Sequence, residues 1–197
     1  MTKRQISIGR PRSFEKDETL DRVIALFWCR GFETTSYSDL EAATGLHRQS
    51  LRYAFGDKAE LFRRALDRYA RRKTAEILSA LEGGETPLAG LAEAFRIWAR
   101  DAGTNGCLVV NTLAEKGPSD LAALDAARLA TSRLHEGFEA AFRKAQSRGE
   151  IRSDVPPALL AAQAVAIGDG MMVHSRGLAC TVSPDGLLMA FLRLLKP

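Results

Sequence analysis

Between Ser38 and Phe55 two short helical stretches meet at a single glycine, and that arrangement leaves the chain few folds to choose from. Ser38, followed three residues later by Glu41, reads as a capping box that starts the first stretch. Gly45 ends it, because glycine reaches a positive φ without a Cβ clash. Leu46, Leu51 and Phe55 then recur at helical spacing as an inward set, leaving His47, Arg48, Gln49, Ser50, Arg52 and Tyr53 to the polar faces. A capped helix, a tight turn and a second short helix with polar groups outward is a helix-turn-helix.

Helical signals continue on both sides, and no alternating run of β-branched residues bounded by turns interrupts them. The expected fold is therefore all-α, with about nine helices. The first begins at the Ser13 cap, turns Leu20, Ile24, Phe27 and Trp28 inward, and ends at Gly31. Asp57 with Glu60 opens a long fourth helix that runs to about Leu81, before Gly83-Gly84. Thr86-Pro87 starts the fifth, Cys107 to Glu115 makes the sixth, and Ser119 caps a seventh that lasts until Gly149. The eighth spans Pro157 to Arg176, and Ser183-Pro184 opens the ninth. The pattern predicts a helix-turn-helix domain over residues 1–58 and a larger helical domain over 59–197.

At 46% hydrophobic and 26% charged residues the composition is that of a folded globular chain rather than a disordered one. No apolar run reaches the roughly 18 residues of a membrane span. Even Val155 to Val173 is broken by Gln163, Gly168 and Asp169. The polar, basic start Met1-Thr2-Lys3-Arg4-Gln5 does not resemble a secretion signal, so a cytoplasmic address is expected. A formal charge of +4 permits nucleic-acid binding, and Lys3, Arg4, Arg10 and Arg12 all precede the first acid, Glu15. Three widely spaced cysteines, Cys29, Cys107 and Cys180, suit neither a disulfide framework nor a zinc site and are expected to be buried free thiols. His47, His135 and His174 are scattered without ligand spacing, so no metal and no cofactor is expected.

The polar groups of the second short helix suit base reading. Arginine can donate two hydrogen bonds to guanine and glutamine can pair with adenine, each worth roughly 1 to 3 kcal/mol of discrimination. Thr34, Thr35, Ser36, Tyr53 and Lys58 suit phosphates, which fix register and supply salt-dependent affinity. Elements of a hydrolase or nucleotide enzyme are missing: there is no G-x-S-x-G elbow, phosphate loop, G-x-G-x-x-G or H-E-x-x-H. A DNA-binding architectural protein that answers no ligand is the alternative to a regulator.

Gly9-Arg10-Pro11-Arg12, Ala25-Leu26-Phe27 through Gly31-Phe32, Thr35-Ser36, Asp39-Leu40-Glu41 and Phe55-Gly56-Asp57-Lys58-Ala59-Glu60-Leu61-Phe62 together resemble the N-terminal domain of TetR/AcrR-family regulators. Gly106-Cys107-Leu108-Val109-Val110-Asn111 is similar to a segment found in one group of them. The resemblance implies a homodimer on a palindromic double-stranded operator, released by a small-molecule effector, with repression the commoner role. Two positions depart from the family pattern: His47 stands where a better N-cap is usual, and Leu51-Arg52 where Leu-Tyr is usual.

For the larger domain, the fifth to eighth helices are expected to line an effector pocket with Phe95, Trp98, Asn111, His135, Phe138, Met171, Met172 and His174. Ordinary core packing is the alternative for each. The eighth and ninth helices are expected to pair two copies through Ala161, Val165, Leu187, Leu188, Phe191, Leu192 and Leu195, with packing inside the domain as the alternative. Cys107 lacks a basic neighbour in sequence, which favours an inert thiol over a redox sensor.

Overall fold

Nine helices follow one another through residues 16–103, 105–116 and 120–197, the parts of the chain that the computed structural model describes. They are α1 (Lys16–Arg30), α2 (Tyr37–Thr44), α3 (Arg48–Phe55), α4 (Lys58–Gly83), α5 (Pro87–Arg100), α6 (Leu108–Lys116), α7 (Leu121–Ser147), α8 (Pro157–Arg176) and α9 (Pro184–Leu194). Ser13, the four early basic residues and Ser119 lie outside the described residues. Asp57, Thr86 and Ser183 cap α4, α5 and α9 through their side chains, as the sequence predicts. Asp120 caps α7, accepting from the Ala123 N–H. The start of α2 needs correction: Ser36, not Ser38, is its N-cap, and Asp39 completes the capping box.

The apolar side chains gather into two clusters. The first joins Val23, Ile24 and Phe27 of α1, Leu40 of α2, and Leu51 and Phe55 of α3 to Leu61, Phe62 and Leu66 of α4. At its centre Phe27 meets Phe62 edge to face, with ring centroids 5.1 Å apart. The cluster runs on through Tyr69 and Ala70 to Leu108 and Val109 of α6 and Ala123 and Ala127 of α7. It therefore crosses the boundary expected at residue 58. The second cluster is built on an aromatic stack of Phe95, Trp98, Phe138 and Phe142. A Cβ at Gly168 would lie 2.4 Å from the Trp98 ring, so α8 approaches α5 this closely only with glycine there.

The surface expected to pair two copies is largely spent inside the chain. Ala161, Val165, Leu188, Leu192 and Leu195 are buried in the second cluster, and Phe191 packs against Phe95 and Phe142. Only Leu187 of that set is exposed. The reason is that α9 lies along α5 and α8 along α7, so their more apolar faces are already covered. The outward residues of these two helices are different ones. On α8 they are Leu159, Gln163, Ala166, Gly170 and Val173, and on α9 they are Leu187, Ala190 and Leu194.

A polar latch ties the end of α1 to the start of α6 and the end of α8. The Trp28 indole N–H donates to the Gly106 carbonyl at 3.0 Å. Arg176 donates to the carbonyls of Trp28 and Asn105 at 3.2 and 3.3 Å, and its other nitrogen lies 3.5 Å from Glu115. Charge-assisted bonds to partly buried carbonyls contribute more than neutral ones, so Arg176→Ala should cost about 1 to 2 kcal/mol. Urea unfolding should show this as a lower midpoint at unchanged slope; an unchanged midpoint would show that the latch carries no stability.

Candidate nucleic-acid interface

The turn between α2 and α3 is built by local bonds. Gly45 sits at φ 71°, and its N–H donates to the Glu41 carbonyl at 2.8 Å. The Thr44 hydroxyl donates to the Leu40 carbonyl and accepts from the Leu46 N–H. His47 makes no side-chain cap. Glu41 supplies what His47 lacks, since the Arg48 backbone N–H donates to Glu41 Oε1 at 2.6 Å. The cap of α3 thus comes from the preceding helix, and its carboxylate also faces the positive end of the α3 dipole.

With Leu51 and Phe55 buried beneath it, α3 turns His47, Arg48, Gln49, Ser50, Arg52 and Tyr53 to solvent. Tyr53 is 96% exposed. The Arg48 guanidinium rests over the Tyr37 ring at 4.3 Å and the Lys58 ammonium over the Phe32 ring at 4.5 Å. These contacts hold two long side chains in place without neutralising them. Nearby carboxylates are already engaged. Hydrogen bonds from Ser36 hold Asp39 below the usual carboxylate range, helped by Arg30. Glu60 is held low by the hydrogen bond from Arg63, with Arg64 adding to it. Among the described residues Arg48, Arg52 and Lys58 have no ion-pair partner, so their charge faces outward.

Thr35 departs from expectation. It is buried, and its hydroxyl donates to the Gly31 carbonyl at 2.7 Å, so its side chain offers nothing to a phosphate. The Ser36 hydroxyl is exposed but committed to Asp39, and the Thr34 hydroxyl to the Arg30 carbonyl. Sequence reasoning missed Tyr37 and Glu41. Each acts on Arg48 across the turn, a pairing that helical periodicity does not reveal.

In the larger part of the chain the expected pocket residues scatter. Phe95, Phe138 and Met171 are buried in the second cluster. His174 is exposed, so it lines no interior space, and His135 is half-buried on α7. Asn111 is buried, and its amide already donates to the Asn105 carbonyl at 3.0 Å. A cavity of about 40 Å³ lies nearer the head, between α4, α5, α6, α7 and α8. Tyr69, Lys73, Thr74 and Ile77 of α4 line it, with Trp98, Asp101, Cys107, Val110, Leu134, Asp169 and Met172. Of the eight residues expected to line a pocket, Trp98 and Met172 are on this wall. Burial pushes the Cys107 thiol up, and it receives a hydrogen bond from the Tyr69 hydroxyl at 3.7 Å. Cys29 and Cys180 are exposed, contrary to the expectation of buried thiols. Among the described residues no helix is long and apolar enough to cross a membrane.

Comparison with known proteins places both parts of the chain. Residues 20–65 match the model for bacterial regulatory proteins of the tetR family, and residues 84–185 match a tetracyclin repressor-like C-terminal domain. The HTH-type transcriptional repressor ComR of Escherichia coli (strain K12) is 32% identical over 156 residues, 77% of this chain and 72% of ComR. A cysteine mutant of the TetR family transcriptional regulator CifR, complexed with 26-bp double-strand operator DNA, superposes with TM-score 0.77 at 29% identity, covering 93% of this chain and 97% of CifR. A TetR family transcriptional regulator from Agrobacterium tumefaciens shares the fold at TM-score 0.83 and 18% identity, over 92% of this chain and 97% of its own.

The borrowed cap of α3 can be tested directly. Glu41→Ala should lower stability by about 1 kcal/mol, the usual worth of a helix cap, and Glu41→Gln by less. Urea unfolding together with amide exchange at Arg48 to Leu51 measures this. Wild-type protection in the alanine variant would show that Glu41 does not cap the helix.

Proposed function

The chain belongs to the TetR family of bacterial regulatory proteins, whose members bind DNA and regulate transcription, and from that premise we propose that it is a ligand-released repressor. Two copies pair, set their α3 helices into a palindromic operator, and let go when a small molecule enters the larger domain. The observation that carries this is the outward face of α3, where Arg48, Gln49 and Arg52 stand exposed above a buried Leu51 and Phe55. Arg48 and Gln49 read base edges. Arg52, Tyr53 and Lys58 grip phosphates, with Arg52 or Tyr53 taking the role of the family's usual tyrosine. Repression is favoured over activation by the 32% identical relative, which is named a repressor.

Pairing is supported by the outward stripe of α8 and α9. Leu159 and Val173 of α8, Leu187 and Leu194 of α9, and Leu178 and Val182 between the two helices are all exposed, and apolar side chains grouped in this way suit cover by a partner. Two heads on one dimer must match major-groove positions roughly 34 to 36 Å apart, so a small change in their spacing weakens both contacts at once. We assign the head to residues 1–58 and the body to 59–197, with α4 shared. It carries Leu61 and Phe62 in the head core and Lys73 and Thr74 on the cavity wall. An effector acts by preferring the arrangement that does not fit the operator.

Two variants separate base reading from backbone grip. Arg48→Ala should weaken operator binding by roughly 1 to 3 kcal/mol and relax preference at one base pair of each half-site. Lys58→Ala should weaken binding to all sequences about equally and flatten the salt dependence by about one phosphate contact. Titrations against operator and scrambled duplex at several salt concentrations decide it. Equal losses on both duplexes for Arg48→Ala would contradict the assignment.

A further inference from the structure

One wall of this cavity carries a carboxylate that nothing among the described residues answers. Asp169, on α8, is half-buried where α8 faces the cavity, and among the described residues it receives no hydrogen bond and has no cation at ion-pair distance. The cation on the same lining, Lys73, is taken: its ammonium lies 2.7 Å from Asp101 and 3.4 Å from Glu76. Across the cavity Thr74 is buried in α4, and its hydroxyl likewise has no hydrogen-bond partner among the described residues. The Tyr69 hydroxyl is committed to Cys107. Most of the remaining lining is apolar, with Ile77, Val110, Leu134, Met172 and the Trp98 ring.

Asp169 keeps part of its contact with water, and withdrawing the rest of an ionised carboxylate without a partner is unfavourable. Burial pushes Asp169 up to about 6, so near neutral pH it is still mainly ionised. The lining holds one ammonium, Lys73, and two carboxylates, Asp101 and Asp169, and is net negative. An anion would meet uncompensated repulsion. A neutral ligand would leave the charge of Asp169 unanswered. A cation would supply the missing partner and leave the Lys73 to Asp101 pair intact.

We propose that this cavity takes a small organic cation, a primary amine on a slender apolar chain, with its ammonium held between Asp169 and the Thr74 hydroxyl and its chain along Ile77, Leu134 and Trp98. This deepens the reading of the chain as a ligand-released repressor and names the chemical class of its effector. At about 40 Å³ the cavity is close to the roughly 30 Å³ share of one liquid water, so the amine must part the lining to enter, and a slender chain requires less of this than a ring.

The test measures binding to the full chain without DNA, using butylamine, butanol and butyrate as cationic, neutral and anionic probes of similar shape, followed by ligand-observed NMR titration. Butylamine should bind at least tenfold more tightly than either counterpart, and Asp169→Asn should bring amine and alcohol to within about twofold of each other. Equal binding of the three probes by the natural protein would overturn the proposal, as would an amine preference that survives in Asp169→Asn. Because the natural protein alone discriminates the probes, a variant that fails to fold leaves a decisive comparison. Operator binding, measured separately, distinguishes the two readings. A protein that binds its operator but shows no amine preference refutes only the effector class, and one that binds the amine but no operator refutes only the repressor.

Discussion

Everything the head of this molecule does depends on two side chains, Leu51 and Phe55, being held under α3. That helix is eight residues long, well short of the length at which an isolated helix persists in water. Burying one leucine and one phenylalanine contributes roughly 1.5 to 3 kcal/mol each. Together with the cap from Glu41 this fixes both the existence and the rotation of the helix. Once its inner face is pinned against Phe27, Leu40, Leu61 and Phe62, the polar residues can only point outward. Readiness for DNA is thus a consequence of core packing.

The same core binds the head to the rest of the chain. Because the first cluster runs through Tyr69 and Ala70 into α6 and α7, no plane of water divides head from body. Bidentate bonds from Arg68 to Asp21 hold α1 to α4, and the Arg176 and Trp28 latch holds the end of α1 to the α6 loop. A head anchored at two points along α1 is joined by direct contacts to the elements that wall the cavity, several of whose residues are on α4 and α6. That is the mechanical condition a regulator needs if an event in its interior is to alter the spacing of two heads.

Local features were readable from residues in a row. The helix-turn-helix, the caps at Asp57, Thr86 and Ser183, and the span of α8 follow from periodicity and capping chemistry within a few positions. What failed depends on contacts between distant segments. The broad apolar face of α9 promised a partner subunit, but α5 covers it, and nothing in residues 184–194 announces that. Thr35 looked like a phosphate donor until the fold buried it against Gly31. Of the residues expected to line a pocket, Phe95, Trp98 and Phe138 stack on one another and His174 faces solvent. The open space lies instead where small and polar residues of α4 meet Asp169.

The central claim is that α3 enters the major groove and reads bases there. Methylation interference on the operator measures it most directly, because guanine N7 faces the major groove and adenine N3 the minor groove. The account predicts that N7 methylation blocks binding at symmetric positions in the two half-sites while N3 methylation there is tolerated. Interference confined to N3, or absent at both, would contradict it.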